Sequence, residues 1–346
     1  LPVAGARAAL RELSDHHLVR EGGIGRYRFH DLIRWYARDL ALREEPRAEN
    51  RMAIERLLGH YLRRTEAADR AAYPHRWRVA ADASAPDLDV LTPEAARRWL
   101  ADEWRNALAL AAYAGDHEWK AQGAQLAHLL AEFLDDEGLR EEAMTAHARA
   151  LHACNLLGDH LRIAQAALDL GRVQLRVWQQ EDALRNSKIA QRYFQAAGEP
   201  RGEAKARDQI GLVLWASDRC REALAMHEEA EAICRAIGDV QGEAIILDHK
   251  AMAQWHLGDN AEAQRLYQVA LGKCREVGDR QTEARILNNL GHVLQSRGRH
   301  READELYQRC AEICAEISAP RPQPYLHHNR GDLYRYKGRY EQALEC

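Results

Sequence analysis

Apolar residues recur at three- and four-residue spacing through most of the chain, the period of helices that bury one face. Residues 282–297 carry Ile286, Leu287, Leu290 and Val293 in this pattern, and Gly298 interrupts it. Residues 301–317 resume it with Ala303, Leu306, Tyr307, Cys310, Ile313 and Cys314. The pattern predicts two helices joined by a short turn, and the pair itself recurs. Gly158-Asp159, Gly198-Glu199, Gly238-Asp239 and Gly278-Asp279 stand forty residues apart, and the same step separates Gly171, Gly211, Ala251, Gly291 and Gly331. Asp182-Ala183, Glu222-Ala223, Glu262-Ala263, Glu302-Ala303 and Gln342-Ala343 keep the register, as do Ala150, Ala190, Ala230 and Ala270, with Cys310 in the last place. Neither helix of a unit can bury its apolar stripe alone. Each must pack on its partner and on the next pair, which predicts an all-α, α-α superhelix. Small residues at the glycine and alanine registers let helix axes approach closely.

Ahead of the repeat the pattern changes. Residues 4–15 form a short amphipathic helix with Ala8, Leu10 and Leu13. Leu18-Val19 and Tyr27-Arg28-Phe29 read as short strands, with Gly22, Gly23 and Gly25 supplying the reversal. Residues 31–43 are helical and open on Asp31, where a carboxylate can cap free amides. A long helix follows over 44–73. Residues 74–92, with Pro74, Asp82, Pro86, Asp87 and Asp89, read as a loop. Thr92-Pro93 starts the next helix as N-cap and first-turn proline, and Gly115 ends it. The expected organisation is residues 1–48 around the hairpin, a helical connector over 49–118, and the repeat array over 119–346.

Leu290-Gly291, Gly298, Ala303 and Tyr307 resemble the tetratricopeptide repeat, as do Gly331, Gly338, Tyr340 and Ala343. That unit commonly has about 34 residues, so forty implies longer helices or turns. Earlier units depart from it: Ala131 replaces the first glycine, and Trp178 and Asp218 replace the turn glycine. Helix, hairpin and helix over 1–48, with GRYRFHDLIRWYAR at 25–38, resemble the closing part of a winged-helix domain in an NB-ARC module, of the STAND class of signalling nucleotidases. Phe29-His30-Asp31 stands where that family has Met-His-Asp. The resemblance implies that His30 reaches the phosphates of bound ADP and that Asp31 positions the local backbone. The alternative is a structural His-Asp at a strand-to-helix corner. Residues 61–74 and 99–116 are similar to the connector in Streptomyces antibiotic regulatory proteins and their NB-ARC relatives, whose larger members carry a DNA-binding domain ahead of NB-ARC. The implied role is a sensor and protein-interaction arm that controls an upstream nucleotidase in a bacterial transcriptional regulator. A stand-alone scaffold without switching is the alternative. No G-x-x-x-x-G-K-[ST] phosphate loop occurs, so no cofactor is expected in this chain, and ADP or ATP would sit in an upstream domain. Leu1 is not an initiator methionine and Cys346 falls inside a second helix, so the sequence reads as a piece cut at both ends.

Net charge of −4 with 29% charged residues argues against a nucleic-acid-binding body. DNA contact is expected only through a domain outside this chain. No run of 18 apolar residues occurs, so no membrane span is expected. Of seven cysteines, Cys154, Cys234, Cys274 and Cys314 share one repeat column, with Phe194 in the gap. Core packing is the expectation, rather than metal or disulfide, and reduced thiols point to the cytoplasm. There is no H-E-x-x-H, G-x-S-x-G or C-x-x-C, so the chain is not expected to be an enzyme.

First helices of such pairs line a concave groove. Three positions around the Gly171 register share one face. The first holds Asp169, Gln209, His249, Asn289 and Asn329; the second includes Arg172, His292 and Asp332; the third includes His256 and Tyr336. These residues are expected to meet a protein or peptide, with carboxamides bonding to its backbone. A solvated face without a ligand is an equal alternative. Trp215 and Trp255 are expected to pack in the core, and self-association on activation is a further expectation.

Overall fold

The computed structural model describes residues 3–23, 26–44, 46–78, 91–317 and 324–345. Gly25, the expected loop over 79–90 with Asp82, Pro86, Asp87 and Asp89, and the termini Leu1 and Cys346 lie outside them. The chain divides into two compact units, Leu1–Tyr61 and Leu62–Cys346.

In the first unit, α1 (Val3–Asp15) leads into β1 (Val19–Gly23) and β2 (Arg26–Phe29), followed by α2 (Asp31–Glu44) and the start of α3 (Arg47–Ala72). The strands pair antiparallel with Val19 opposite Phe29, and the register shifts between Glu21 and Gly23. Helix, hairpin and helix are thus present as the sequence predicts. Helix α2 leaves Leu32, Trp35 and Tyr36 exposed.

In the second unit α4 (Pro93–Asp116) begins on the expected cap, with the Thr92 side chain accepting from the Ala95 amide. Then come α5 (Lys120–Leu129), α6 (Ala131–Asp136), α7 (Arg140–Leu157), α8 (His160–Arg176), α9 (Gln180–Ala197), α10 (Pro200–Ala216), α11 (Cys220–Ile237), α12 (Val240–His256), α13 (Asn260–Val277), α14 (Arg280–Ser296), α15 (His300–Glu316), α16 (Pro324–Tyr336) and α17 (Tyr340–Glu345). From α8 onward the helices alternate as first and second members of forty-residue pairs.

The Gly-Asp motif explains the joint between pairs. Gly158, Gly198, Gly238 and Gly278 adopt φ from 68° to 71°, the left-handed conformation that ends a helix. Asp159, Asp239 and Asp279 then cap the next helix, accepting from the amides of Arg162, Gly242 and Thr282. Glu199 makes no such bond, and Pro200 opens that helix instead. The turn inside each pair uses Gly138, Gly258, Gly298 and Gly338 at positive φ, but Trp178 and Asp218 hold φ 63° and 60° there. A left-handed L-residue costs roughly 1 kcal/mol or more. Trp178 is largely exposed and has little packing to lose. Trp178→Gly is therefore expected to stabilise the chain by about 0.5–1 kcal/mol, read as a higher midpoint in thermal unfolding.

The glycine register marks close helix approach. A Cβ on Gly291 would lie 2.6 Å from the Tyr307 ring, and one on Gly211 would lie 2.5 Å from the His227 ring. Cys154, Cys234, Cys274 and Cys314 are buried and free, as are Cys220 and Cys310. Burial pushes the thiols of Cys154, Cys234 and Cys274 up to about 12, so they act as small apolar side chains. No helix among the described residues is long and apolar enough to cross a membrane.

Candidate partner-binding groove

Successive first helices touch one another, α5 with α8, α8 with α10, α10 with α12, α12 with α14 and α14 with α16. They therefore form the inner side of the coil, as the sequence predicts for a concave wall. The coil turns far enough for Arg97, on α4, to donate from Nη1 to the carbonyl of Ile317, just beyond α15, at 3.3 Å.

The expected polar column lies between units. Asp169 Oδ2 is 2.6 Å from His128 Nδ1 on α5. Gln209 donates to the Leu168 carbonyl at 3.1 Å and to Ser187 Oγ at 3.0 Å. His249 Nδ1 is 2.8 Å from Asp208 Oδ1. Asn289 donates to Asp248 Oδ1 at 3.0 Å, and Asn329 donates to Asn288 Oδ1 at 3.1 Å. Apart from the Gln209 bond to Ser187 on α9, each bond joins a first helix to the preceding first helix, so the column forms a ladder of polar rungs on the inside of the coil.

The rungs differ in how charge is met. Arg285 Nε approaches Asp248 Oδ2 at 3.0 Å. Arg172 bonds to Glu132 and lies 3.9 Å from Asp169. Burial alone would raise the Glu132 carboxyl, but Arg172 and Arg76 bring it to about 2. Asp208 faces two imidazoles instead. His249 on α12 and His227 on α11 both place Nδ1 within 2.9 Å of its Oδ1. Burial would raise Asp208, yet these imidazoles hold it far below the usual carboxylate range. One side-chain oxygen of Asp208 and one ring nitrogen each of His227 and His249 lie within 4.8 Å of one another, the one such set of three His, Cys, Asp or Glu side chains among the described residues. The spacing fits hydrogen bonds from two rings to one acceptor.

The remaining expected groove residues are more open. His256 is edge-on to Trp215 at 5.0 Å and to Trp255 at 4.9 Å, and His292 meets Trp255 at 4.8 Å. Burial lowers the pKa of both histidines. Trp215 and Trp255 are half-buried and share this aromatic row, and each also packs against a core cluster, as expected. Asp332 pairs with Arg335 at 3.1 Å, and exposed Tyr336 stacks on His300. In the first unit His30 is exposed, and Asp31 lies 3.8 Å from Arg34.

Sequence reasoning missed His147 and His227. They belong to a column with Ser187, Tyr267 and Tyr307 on the second helices, under the glycine register. Both ring nitrogens of His147 are buried without a hydrogen-bond partner. Burial pushes its pKa down to about 4 from the ordinary 6.5. The unfolded chain takes up this proton below pH 6.5, the folded chain only near 4. Stability from neutral His147 is thus complete above pH 6.5 and is lost as pH falls toward 4, by about 3 kcal/mol. Asp136, raised to about 6 by burial, has the opposite sign and loses stability as pH rises from about 4 to 6. The difference between wild type and His147→Leu isolates the histidine. Urea midpoints at pH 7 and pH 5 are expected to fall more in wild type than in the variant, and equal falls would contradict the assignment.

A second missed feature is the segment after α3. The helix ends at Ala72, one residue before the expected end; residues 74–78 are non-helical, as expected, and the stretch 73–78 runs against first helices and the end of α9. Tyr73 is buried. Arg76 donates from Nη2 to the His128 carbonyl at 2.7 Å and from Nη1 to Asp69 at 2.7 Å, and its Nε is 3.6 Å from Glu132. Gln241, on α12, donates to the His75 carbonyl at 2.6 Å. The Trp77 ring is edge-on to Phe194 at 5.9 Å, with Lys205 Nζ 5.7 Å from its centre. Arg78 donates to Asp69 Oδ2 at 2.5 Å. A first-helix carboxamide thus does bond to a backbone carbonyl laid against it, at Gln241 rather than in the expected column.

Residues 202–276, 242–316 and 282–346 match the tetratricopeptide repeat family profile. A regulatory protein of Streptomyces griseus, AfsR, is 29% identical over 268 residues, 65% of this chain and 27% of the relative. The chain therefore spans about a quarter of that relative's length. A STAND protein with a tetratricopeptide repeat sensor from Pyrococcus horikoshii superposes with a TM-score of 0.53 at 18% identity, over 97% of this chain and 51% of that one. A Rap conjugation gene regulator of plasmid pLS20, in complex with the Phr* peptide, gives a TM-score of 0.56 at 11% identity, over 84% of this chain and 83% of that one. With the forty-residue helical pairs and the matched profile together, the chain has an all-α tetratricopeptide-repeat fold and carries a repeat array of that family over residues 202–346.

Proposed function

We propose that this chain is the sensor and protein-interaction arm of a nucleotide-regulated transcriptional regulator of the STAND type, and that a protein or peptide binds the inner side of the coil. The bond from Gln241 to the His75 carbonyl carries the second part, because it is the chemistry a peptide groove uses. The sequence match to a Streptomyces regulatory protein, and a fold shared with a STAND protein bearing a repeat sensor, support the first part. In the longer protein the first unit would be the end of a winged-helix domain. His30 would meet ADP held by an upstream nucleotide domain, and Asp31 would set the backbone beside it. Partner binding would then shift the balance between closed and open nucleotide states, which requires that the arm make different contacts in each.

The test uses the protein extended to include the region upstream of residue 1. His30→Ala is expected to weaken ADP binding at least tenfold in equilibrium titration. Unchanged ADP affinity would remove the nucleotide switch and leave the scaffold reading.

A further inference from the structure

We infer that the inner side of the coil, from α5 to α12, is a binding site for a short segment that turns between a tyrosine and an arginine and then presents a large aromatic ring, and that the chain's own residues 73–78, turned by the bond from the Arg76 amide to the Tyr73 carbonyl at 3.1 Å, fill it. The inference rests on the groove reading above and names the class of partner the groove takes: a cationic, aromatic peptide.

Four contacts define the site. The buried Tyr73 hydroxyl faces the Asp136 carboxyl at the end of α6, and burial together with that carboxyl raises the Tyr73 pKa. The Arg76 guanidinium sits on the last turn of α5, where it meets the carbonyls of His128 at 2.7 Å and Leu129 at 3.5 Å, with Glu132 at 3.6 Å. The last carbonyls of a helix have no partner within it and carry the negative end of its dipole, so this position favours a cation. Gln241 holds the backbone at the His75 carbonyl, and is itself oriented by donating to Asp279 at 3.0 Å. Phe194 and Lys205 form the slot for the Trp77 ring, one edge-on and one as a cation beside the ring. The contacts come from helices up to 166 positions apart in sequence from the segment they hold. An acidic peptide would face Glu132 and Asp136, which disfavours it.

The segment is latched from its own side as well. Asp69, on α3, accepts from both Arg76 and Arg78. A covalently attached occupant acts at an effective concentration in the millimolar range, so a separate peptide of the same kind competes poorly while the latch holds. A partner of this chemistry therefore binds by displacing residues 73–78, and its apparent affinity is reduced by the fraction of chains in which the segment is seated.

The experiment measures binding of a fluorescent synthetic peptide spanning residues 70–78 to the 346-residue chain. Wild type is expected to bind it weakly. A chain carrying Arg76→Ala and Trp77→Ala is expected to bind at least tenfold more tightly, and adding Gln241→Ala and Glu132→Gln on the receptor side is expected to return binding to the wild-type level. A peptide with the tryptophan replaced by alanine is expected to lose most of the gain. A double variant with the wild-type circular dichroism spectrum but no gain in affinity overturns the proposal. Should that variant fail to fold, hydrogen exchange on wild type decides: excess peptide must speed exchange at residues 73–78, and unchanged exchange overturns it. ADP binding by the longer protein plays no part in either readout, so a failed nucleotide switch and a failed peptide site are told apart.

Discussion

Asp69→Asn is expected to destabilise the chain by about 3–5 kcal/mol, as removal of one partner from a buried ion pair does. The Asp69 side chain is fully buried, and the Arg76 and Arg78 side chains are 7% and 11% exposed. Asparagine keeps the shape of the site, so no cavity forms. The loss comes from leaving two buried guanidinium groups without their carboxylate. Arg76 retains the His128 carbonyl and Glu132, whereas Arg78 retains only backbone carbonyls, those of Arg76, Asp69 and Tyr73. Arg78→Met in the same background is therefore expected to cost less than it does alone, because the charge it removes is already unpaired. Urea unfolding of the four chains of this cycle checks both statements. A loss below about 1 kcal/mol for Asp69→Asn would mean that water reaches the site and replaces the carboxylate.

Tyr307→Ala is expected to cost a similar amount, about 3–5 kcal/mol, by opening a cavity where a fully buried ring had been. The ring lies under Gly291, and its hydroxyl donates to Gln295 Oε1 at 2.9 Å. Tyr307→Phe keeps the ring and deletes that bond, so its cost should be near 1 kcal/mol. Gly291→Ala approaches the same contact from the other helix. The added methyl must push the ring aside, at about 1–3 kcal/mol. In the Tyr307→Ala background that push has no target, and the methyl should be nearly neutral. Chemical denaturation measures all of these, and strict additivity of Gly291→Ala with Tyr307→Ala would count against the contact.

The joints of the array were legible because they obey local rules. A glycine in the left-handed conformation followed by an aspartate cap is written in two adjacent residues, and forty-residue spacing repeats it. Even the exceptions at Trp178 and Asp218 were visible as departures from that register. The inner wall was legible only in part. Periodicity showed that Asp169, Gln209, His249, Asn289 and Asn329 share a face with the groove. It could not show that they point along the stack to the previous unit, because that depends on how tightly the coil curves. His227 was hidden for another reason: its column holds serine and tyrosine in other units, so no residue type repeats. The seating of residues 73–78 depends on Gln241 and Lys205, far along the chain, and no local pattern encodes such a contact. His30 stands in an exposed corner of the first unit, and its proposed role depends on a domain beyond this sequence.

The rungs have a consequence for how the array comes apart. Repeat proteins held by apolar surfaces alone can fray from an end, since each lost pair simply exposes greasy surface to water. Here Asp169, Asp208 and Asp248 are each buried and each answered across a unit boundary, by His128, His249 and Asn289 respectively. Peeling away one pair strands a carboxylate on its neighbour or leaves its donor idle, and that penalty falls on partly opened forms but not on the fully unfolded chain. Unravelling one pair at a time is thereby suppressed, and the coil opens in larger blocks than its forty-residue rhythm implies.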